Sequence, residues 1–277
     1  GMKVIITDHH ELSFKEDENG ERHYILPEAD AVVNPKRGDC SYPFKMLCGA
    51  GIAFKFAQAL YSVMNINEDE IYELLQYAAI GTICDVVDLV DENRIIAKNG
   101  LKILKNTENL GLKALIKETN IEGKDLNSYH IGYIIGPCIN ATGRLETAKL
   151  SVELLLAEDE RTAEDLASKL HKLNVERQEM TIKGVEDIEE IIENTPLKND
   201  KVFVIYKEDI HESIAGIVAG KIKEKYNVPT IVLTRGKDMP KGSGRSIEGY
   251  NMFEELLKCK DLLEKFGGHP MAAGLSL

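Results

Sequence analysis

Thr7-Asp8-His9-His10 follows directly on the apolar run Val4-Ile5-Ile6. A carboxylate beside two imidazoles offers the oxygen and nitrogen donors that suit Mn²⁺ or a similar divalent cation. Adjacent residues at a strand end point in different directions, so one of His9 and His10 can ligate while the other orients it or faces a substrate oxygen. A polar turn closing a strand would use the same residues. A further carboxylate, Asp85, ends the run Ala78-Ala79-Ile80-Gly81-Thr82-Ile83-Cys84 and precedes Val86-Val87-Asp88. An ionised carboxylate in so apolar a surround is costly unless it is paired or binds a cation. The alternative is an N-cap for the helix that follows. Asp88 and Asp91 read as caps or exposed residues.

Three other segments suit phosphate. Gly136-Pro137-Cys138-Ile139-Asn140-Ala141-Thr142-Gly143-Arg144 reads as an irregular loop. Its one cation, Arg144, can fork onto a phosphate or pair with nearby Glu146. In Lys241-Gly242-Ser243-Gly244-Arg245-Ser246 the glycines admit a phosphate to backbone N–H groups, and Ser243, Lys241 and Arg245 add donors and charge. It lacks the spacing of a Walker loop and also reads as a hairpin turn. In Phe266-Gly267-Gly268-His269-Pro270 the paired glycines permit close backbone approach, and His269 can donate to phosphate or stack on a base.

The elements that must carry these groups follow from apolar spacing. Val4, Ile5 and Ile6 are consecutive, so that strand is expected to be buried on both faces, inside a parallel sheet. Ala31-Val32-Val33 is a second strand, ended by Asn34-Pro35. Helices are predicted over 46–64, 68–80, 92–105, 111–119 and 147–157, then one long acidic helix from Asp159 or Glu160 to Asn194, stopped by Pro196. Its charge pattern reads as a solvated connection, with Leu166, Leu170, Leu173, Met180, Ile188 and Ile191 at helical spacing. From Val202 the element types alternate: strand 202–206, helix 213–226, strand 230–233, helix 251–265 and strand 272–277. The fold class is α/β: a parallel-sheet remnant with helices over 1–158, a connecting helix over 159–196 and a smaller α/β domain over 197–277. Two short strands cannot bury each other on both faces, so the sheet is expected to lack neighbours and the chain to self-associate through its N-terminal edge.

Composition bounds the function classes. The 277 residues are 43% hydrophobic and 29% charged with a net charge of −12, so a surface that grips nucleic acid everywhere is excluded while a local basic site is not. Residues 197–277 carry 13 basic and 11 acidic side chains, the one part without an acidic excess. No apolar stretch spans a bilayer. Five cysteines without a C-x-x-C pair indicate neither a disulfide framework nor a zinc ribbon, and a reduced cytoplasmic setting is expected.

Taken in order, VIITDHH, NPKRGDCSYPFKMLCGAGIAF, AAIGTICDVVDL, GPCINATGRLETA, KGSGRS and FGGHPMAAG resemble the DHH phosphoesterase superfamily with a DHHA1 domain. The I-N-A-T-G-R and G-S-G-R-S segments are similar to its RecJ branch, single-strand-specific 5′-to-3′ DNA exonucleases. The resemblance covers nearly the whole chain. It implies two-metal phosphodiester hydrolysis with Mn²⁺ or Mg²⁺. It assigns His9 and Asp85 as metal ligands, with Asp8 and His10 beside them supporting the metal shell and the scissile phosphate. It places the substrate's 5′-phosphate on Arg144, Ser243 and Arg245, and the nucleotide on Gly267, Gly268 and His269 at an interdomain cleft. The family's aspartate-rich motif on an earlier strand, and a further aspartate before D-H-H, have no counterpart in these residues, nor has the OB domain that follows. The chain is therefore expected to be N-terminally incomplete, to bind Mn²⁺ weakly or at one site, and to cut poorly on its own. Two alternatives are a non-catalytic single-stranded nucleic-acid-binding module and a small DHH–DHHA1 phosphodiesterase of nano-oligonucleotides or cyclic dinucleotides. The helical region 87–160 and the I-N-A-T-G-R segment favour the exonuclease over the small phosphodiesterase.

Overall fold

The computed structural model describes residues 1–17, 19, 21–67 and 69–277. Strands β1 (Ile5–Thr7), β2 (Phe14–Glu16), β3 (Arg22–Tyr24) and β4 (Ala31–Val33) come first. Helices α1 (Gly49–Val63), α2 (Asp69–Tyr72), α3 (Leu75–Cys84), α4 (Asp91–Lys105), α5 (Leu110–Glu118) and α6 (Ser128–His130) follow. A π-helical turn, Ile131–Ile135, leads into α7 (Gly136–Leu145), then α8 (Lys149–Leu155) and α9 (Glu160–Asn194). The rest is β5 (Phe203–Tyr206), α10 (Glu212–Tyr226), β6 (Thr230–Thr234), β7 (Lys241–Arg245), α11 (Met252–Lys258), β8 (Lys265–His269) and β9 (Ala272–Ser276). The chain divides into two compact units: residues 1–139 with 151–168, and residues 140–150 with 169–277.

In the N-terminal unit β1 pairs with β4 in parallel, Ile6 opposite Val32, and β2 with β3 form an antiparallel hairpin. The expectation of a doubly buried β1 is corrected: Ile5 is 56% exposed. Strand β4 supplies its one neighbour among the described residues, and no layer covers its outer face. The core lies in the helices instead, with Phe44, Leu47, Ile52, Phe54, Ile71, Leu75, Ala79 and Ile96 packed together. The expected helix over 68–80 is two helices, α2 and α3, and Glu68 lies outside the described residues.

Helices α3 and α4 approach so closely that a Cβ at Gly100 would strike the Leu75 carbonyl oxygen and the Ala79 methyl. Where α3 ends decides where Asp85 sits, so this contact holds the site as well as the core.

Two expected loops are regular structure. Gly136–Arg144 is helical: Gly136 N–H reaches back to the Ile131 carbonyl, a π-type bond, and the widened turn precedes Pro137, which has no N–H to offer. Lys241–Arg245 is a central strand flanked by β6 and β9. Glycine weakens a strand when considered locally, but Gly242 and Gly244 turn toward Leu233, Leu275 and Met252, which fill the space a side chain would take.

The C-terminal unit is a five-stranded sheet ordered β5-β6-β7-β9-β8, with only β5 and β6 parallel. Its helical layer packs Ile214, Val218 and Ile222 of α10 with Ile188 and Ile192 of α9 onto Phe203, Ile205 and Val232. The second half of α9 is thus a core element, not a solvated connection. Helix 251–265 is shorter than expected, because Lys265–His269 leaves to form the edge strand β8.

Gly100→Ala should lower stability by about 1–3 kcal/mol, since overpacking here displaces backbone. Urea denaturation checks it, with a lower midpoint at unchanged slope expected.

Candidate metal centre and phosphate cavity

Strand β1 ends at Thr7 and delivers the D-H-H run. Asp8 Oδ1 accepts from the backbone N–H of His9 at 2.8 Å and of His10 at 3.3 Å, and lies 2.7 Å from His10 Nδ1. Partial burial raises the Asp8 carboxyl, but the hydrogen bonds from His10 and His9 outweigh it and hold it below its ordinary value. Asp8 and His10 are therefore partners of each other, and the turn they form frees His9. Its Nδ1 lies 3.5 Å from Asp85 Oδ2, the separation two donors have when they share one ion: donors about 2.1 Å from a cation stand roughly 3–4 Å apart.

Asp85 is not in an apolar surround, and it is not an N-cap. It is the C-cap of α3, its side chain 41% exposed, its N–H bonded to the Gly81 carbonyl. The next residue, Val86, has φ +58° and is exposed. A β-branched residue there is strained, so the chain turns sharply just after the carboxylate. Buried Asn93 of α4 pins the far side of that turn, its Nδ2 donating to Asp88 O at 3.0 Å and Met46 O at 2.7 Å. Burial, then the neighbouring Cys48 and Asp85, push the Cys84 thiol up to about 11, so it stays protonated beside the pair. Among the described residues only one set of three metal-competent side chains lies within 4.8 Å of one another: exposed Asp17, Glu21 and His23 on the hairpin. His9 and Asp85 are two donors.

In the C-terminal unit, alternation along β7 places Lys241, Ser243 and Arg245 on one face, opposite the apolar layer that takes Gly242 and Gly244. That face meets the first turns of α10. A Cβ at Gly216 would come within 2.8 Å of Arg245 Nη2, so the guanidinium lies close against the backbone of α10. Arg144 reaches the same point, donating from Nη1 to Ser213 O at 2.7 Å, while Glu146 pairs with Lys169 instead. Arg245 Nη1 donates to Gly244 O at 2.7 Å. Among the described residues neither arginine is paired with a carboxylate. Burial and then the charge of Arg144 lower the Arg245 pKa. The cavity these groups line is about 400 Å³ and includes Gly143, Arg144, His211, Ser213, Ser243 and Gly274.

His211, Ser213 and Glu212 are site residues that motif reading missed. His211 Nδ1 caps α10 by accepting from Ser213 N–H and lies 2.7 Å from Ser213 Oγ. Glu212 holds Lys241 at 2.7 Å. The signal available was a His-Glu-Ser cap before an apolar helix, which looks structural when read alone. Gly267 pairs with Gly274, itself opposite Ser243, and His269 pairs with Ala272, opposite Arg245. Direct pairs share a face, so His269 stands on the phosphate-cavity side of the sheet, roughly 10 Å from Arg245 across two strand spacings. Gly268 has φ +154°.

Val86→Asn should raise stability by about 1 kcal/mol, because asparagine tolerates the left-handed backbone that valine resists. A lower urea midpoint would show that the valine side chain contributes more than its strain costs.

Residues 1–82 match the DHH family, N-terminal domain, and residues 199–277 the DHHA1 domain. The single-stranded-DNA-specific exonuclease RecJ of Bacillus subtilis is 44% identical over 279 residues, covering all of this chain and 33% of that protein. RecJ of Dickeya dadantii is 36% identical, over all of this chain and 50% of its own length. The crystal structure of Thermus thermophilus RecJ in complex with Mn²⁺ superposes with a TM-score of 0.84 at 30% identity, over 100% of this chain and 39% of that one. A RecJ structure bound to manganese gives 0.79 at 30% identity, over 99% and 65%. The chain thus spans a third to a half of the length of the curated relatives it matches. Matched by both domain models in order, the chain carries a DHH family N-terminal domain and a DHHA1 domain, and it is similar from end to end to these RecJ proteins.

Proposed function

We propose that the chain works as the DHH–DHHA1 core of a metal-dependent 5′-to-3′ exonuclease that hydrolyses phosphodiester bonds of single-stranded DNA. The observation that carries this is the His9–Asp85 pair, an imidazole and a carboxylate 3.5 Å apart at adjoining element ends, in a family whose named members are exonucleases of that substrate. The donor set suits Mn²⁺ or Mg²⁺. A bound divalent cation supplies there an activated water and neutralises charge on the phosphate. His9 and Asp85 would hold the cation, with Asp8 and His10 beside them supporting the metal shell and the scissile phosphate. Arg144, Ser243 and Arg245 take the 5′-phosphate, where two unpaired guanidiniums compensate its charge, and Gly267, Gly268 and His269 meet the terminal nucleotide.

Convergence of only two metal donors among the described residues favours a second reading for these 277 residues by themselves: single-strand binding without cutting. Among the described residues no helix is long and apolar enough to cross a membrane, and five cysteines, none in a disulfide, suit a reducing, cytoplasmic setting. The unpaired edge of β1 offers a surface for self-association.

His9→Ala and Asp85→Asn are each expected to weaken Mn²⁺ binding about 10-fold or more in calorimetric titration, and Arg245→Ala to weaken binding of a 5′-phosphorylated oligonucleotide more than a 5′-hydroxyl one. Digestion of a 5′-labelled strand with Mn²⁺, lost in His9→Ala, establishes the exonuclease; binding without digestion favours the second reading. Unchanged Mn²⁺ affinity in both variants contradicts the metal assignment. Light scattering is expected to show mass rising with concentration, and a constant monomer mass removes the self-association surface.

A further inference from the structure

Tyr129 and Tyr133 stack on one another at the surface of the N-terminal unit, ring centroids 5.1 Å apart and planes 26° from parallel. They are 59% and 72% exposed. His130 meets Tyr129 edge-on at 5.9 Å. The arrangement has a local cause. Asn127 caps α6, accepting from the Tyr129 and His130 N–H groups, and Ile131 and Ile135 are fully buried. Those two anchors fix the rotation of the helix, and its widening over Ile131–Ile135 brings residues four apart closer into line than an ordinary α-helix does. Tyr129 and Tyr133 are aligned outward for the same reason that Ile131 and Ile135 are aligned inward.

We propose that this pair is a stacking platform for unpaired bases of single-stranded DNA. It rests on the single-strand reading above and adds to it where the bases go. An exposed ring stack buries too little surface to be explained by folding alone. Its position is also specific. The π turn packs on the last turn of α3: a Cβ at Gly132 would lie 3.7 Å from Ile83 Cγ2, and Cys84 Sγ is 3.8 Å from the Ile131 carbonyl oxygen it donates to. The residue after Cys84 is Asp85. The platform and the metal pair therefore share one support: the π turn that carries Tyr133 packs on the helix end that carries Asp85. Ring faces accept any base, which suits a nuclease that must pass along every sequence. Nearby charge is mixed, with Asp125 held by Lys105 at 2.9 Å, so this contact draws on base faces and not on phosphates.

The chain contains no tryptophan, so Tyr133→Trp installs a sole reporter on the platform. An oligothymidylate of about 12 nucleotides is expected to quench its emission to saturation, and an abasic strand of equal length to leave it unquenched. Tyr129→Ala with Tyr133→Ala should weaken oligothymidylate binding about 10-fold without changing its salt slope and leave Mn²⁺ affinity unchanged, while Tyr133→Phe should bind as the wild type does. Wild-type affinity in the double variant, or equal quenching by the abasic strand, overturns the platform while the single-strand reading stands. No oligonucleotide binding by the wild-type chain overturns both. A change of emission with protein concentration alone shows the rings covered by a second copy, which also overturns it.

Discussion

Two neighbouring guanidiniums, neither paired with a carboxylate among the described residues, make the constraint around which the C-terminal unit is organised. Arg245 is partly buried and faces Arg144, and the structure spends its nearby acids elsewhere: Glu146 on Lys169, Glu212 on Lys241. Such an arrangement is unfavourable in isolation and becomes favourable when an anion enters. Everything that sets it up is packing. Gly242 and Gly244 face Leu233, Leu275 and Met252 so that β7 shows its polar face to α10, and Arg245 lies close against Gly216. Two guanidiniums so placed suit a compact, doubly charged group better than a surface cluster of lysines does.

The metal pair follows a similar logic in the N-terminal unit. His9 and Asp85 are far apart in sequence and are brought together by two element ends, the end of β1 and the end of α3. The Asp8–His10 turn aims one, and the strained turn at Val86, pinned by Asn93, aims the other. The close α3–α4 contact at Gly100 sets how far α3 carries its last residue. Strain at Val86 is the kind of local cost that persists where surrounding packing over-determines the backbone.

The N-terminal strands show where packing and pattern separate. Val4-Ile5-Ile6 has the composition of a strand buried on both faces, and it does pair in parallel with β4, yet Ile5 is exposed. Periodicity reports what a segment is suited to, and burial depends on which neighbours arrive.

The amino-acid sequence by itself determined the candidate groups for chemistry, the long helix to Asn194, the change to an α/β unit after Pro196, and the resemblance to DHH and DHHA1 proteins, because motif chemistry and helical spacing are local properties. It also misread three local signals. Gly136–Arg144 looked like a loop, Lys241–Ser246 like a turn, and the last half of α9 like a solvated connection. Each is overridden by partners distant along the chain: the π turn ahead of Pro137, strands β6 and β9 on either side of β7, and α10 with β5 and β6 against Ile188 and Ile192. Only the tertiary structure decided that Arg144 stands over Ser213 and that His211 and Ser213 line one cavity with Ser243. Those facts depend on long-range register, which no local pattern encodes.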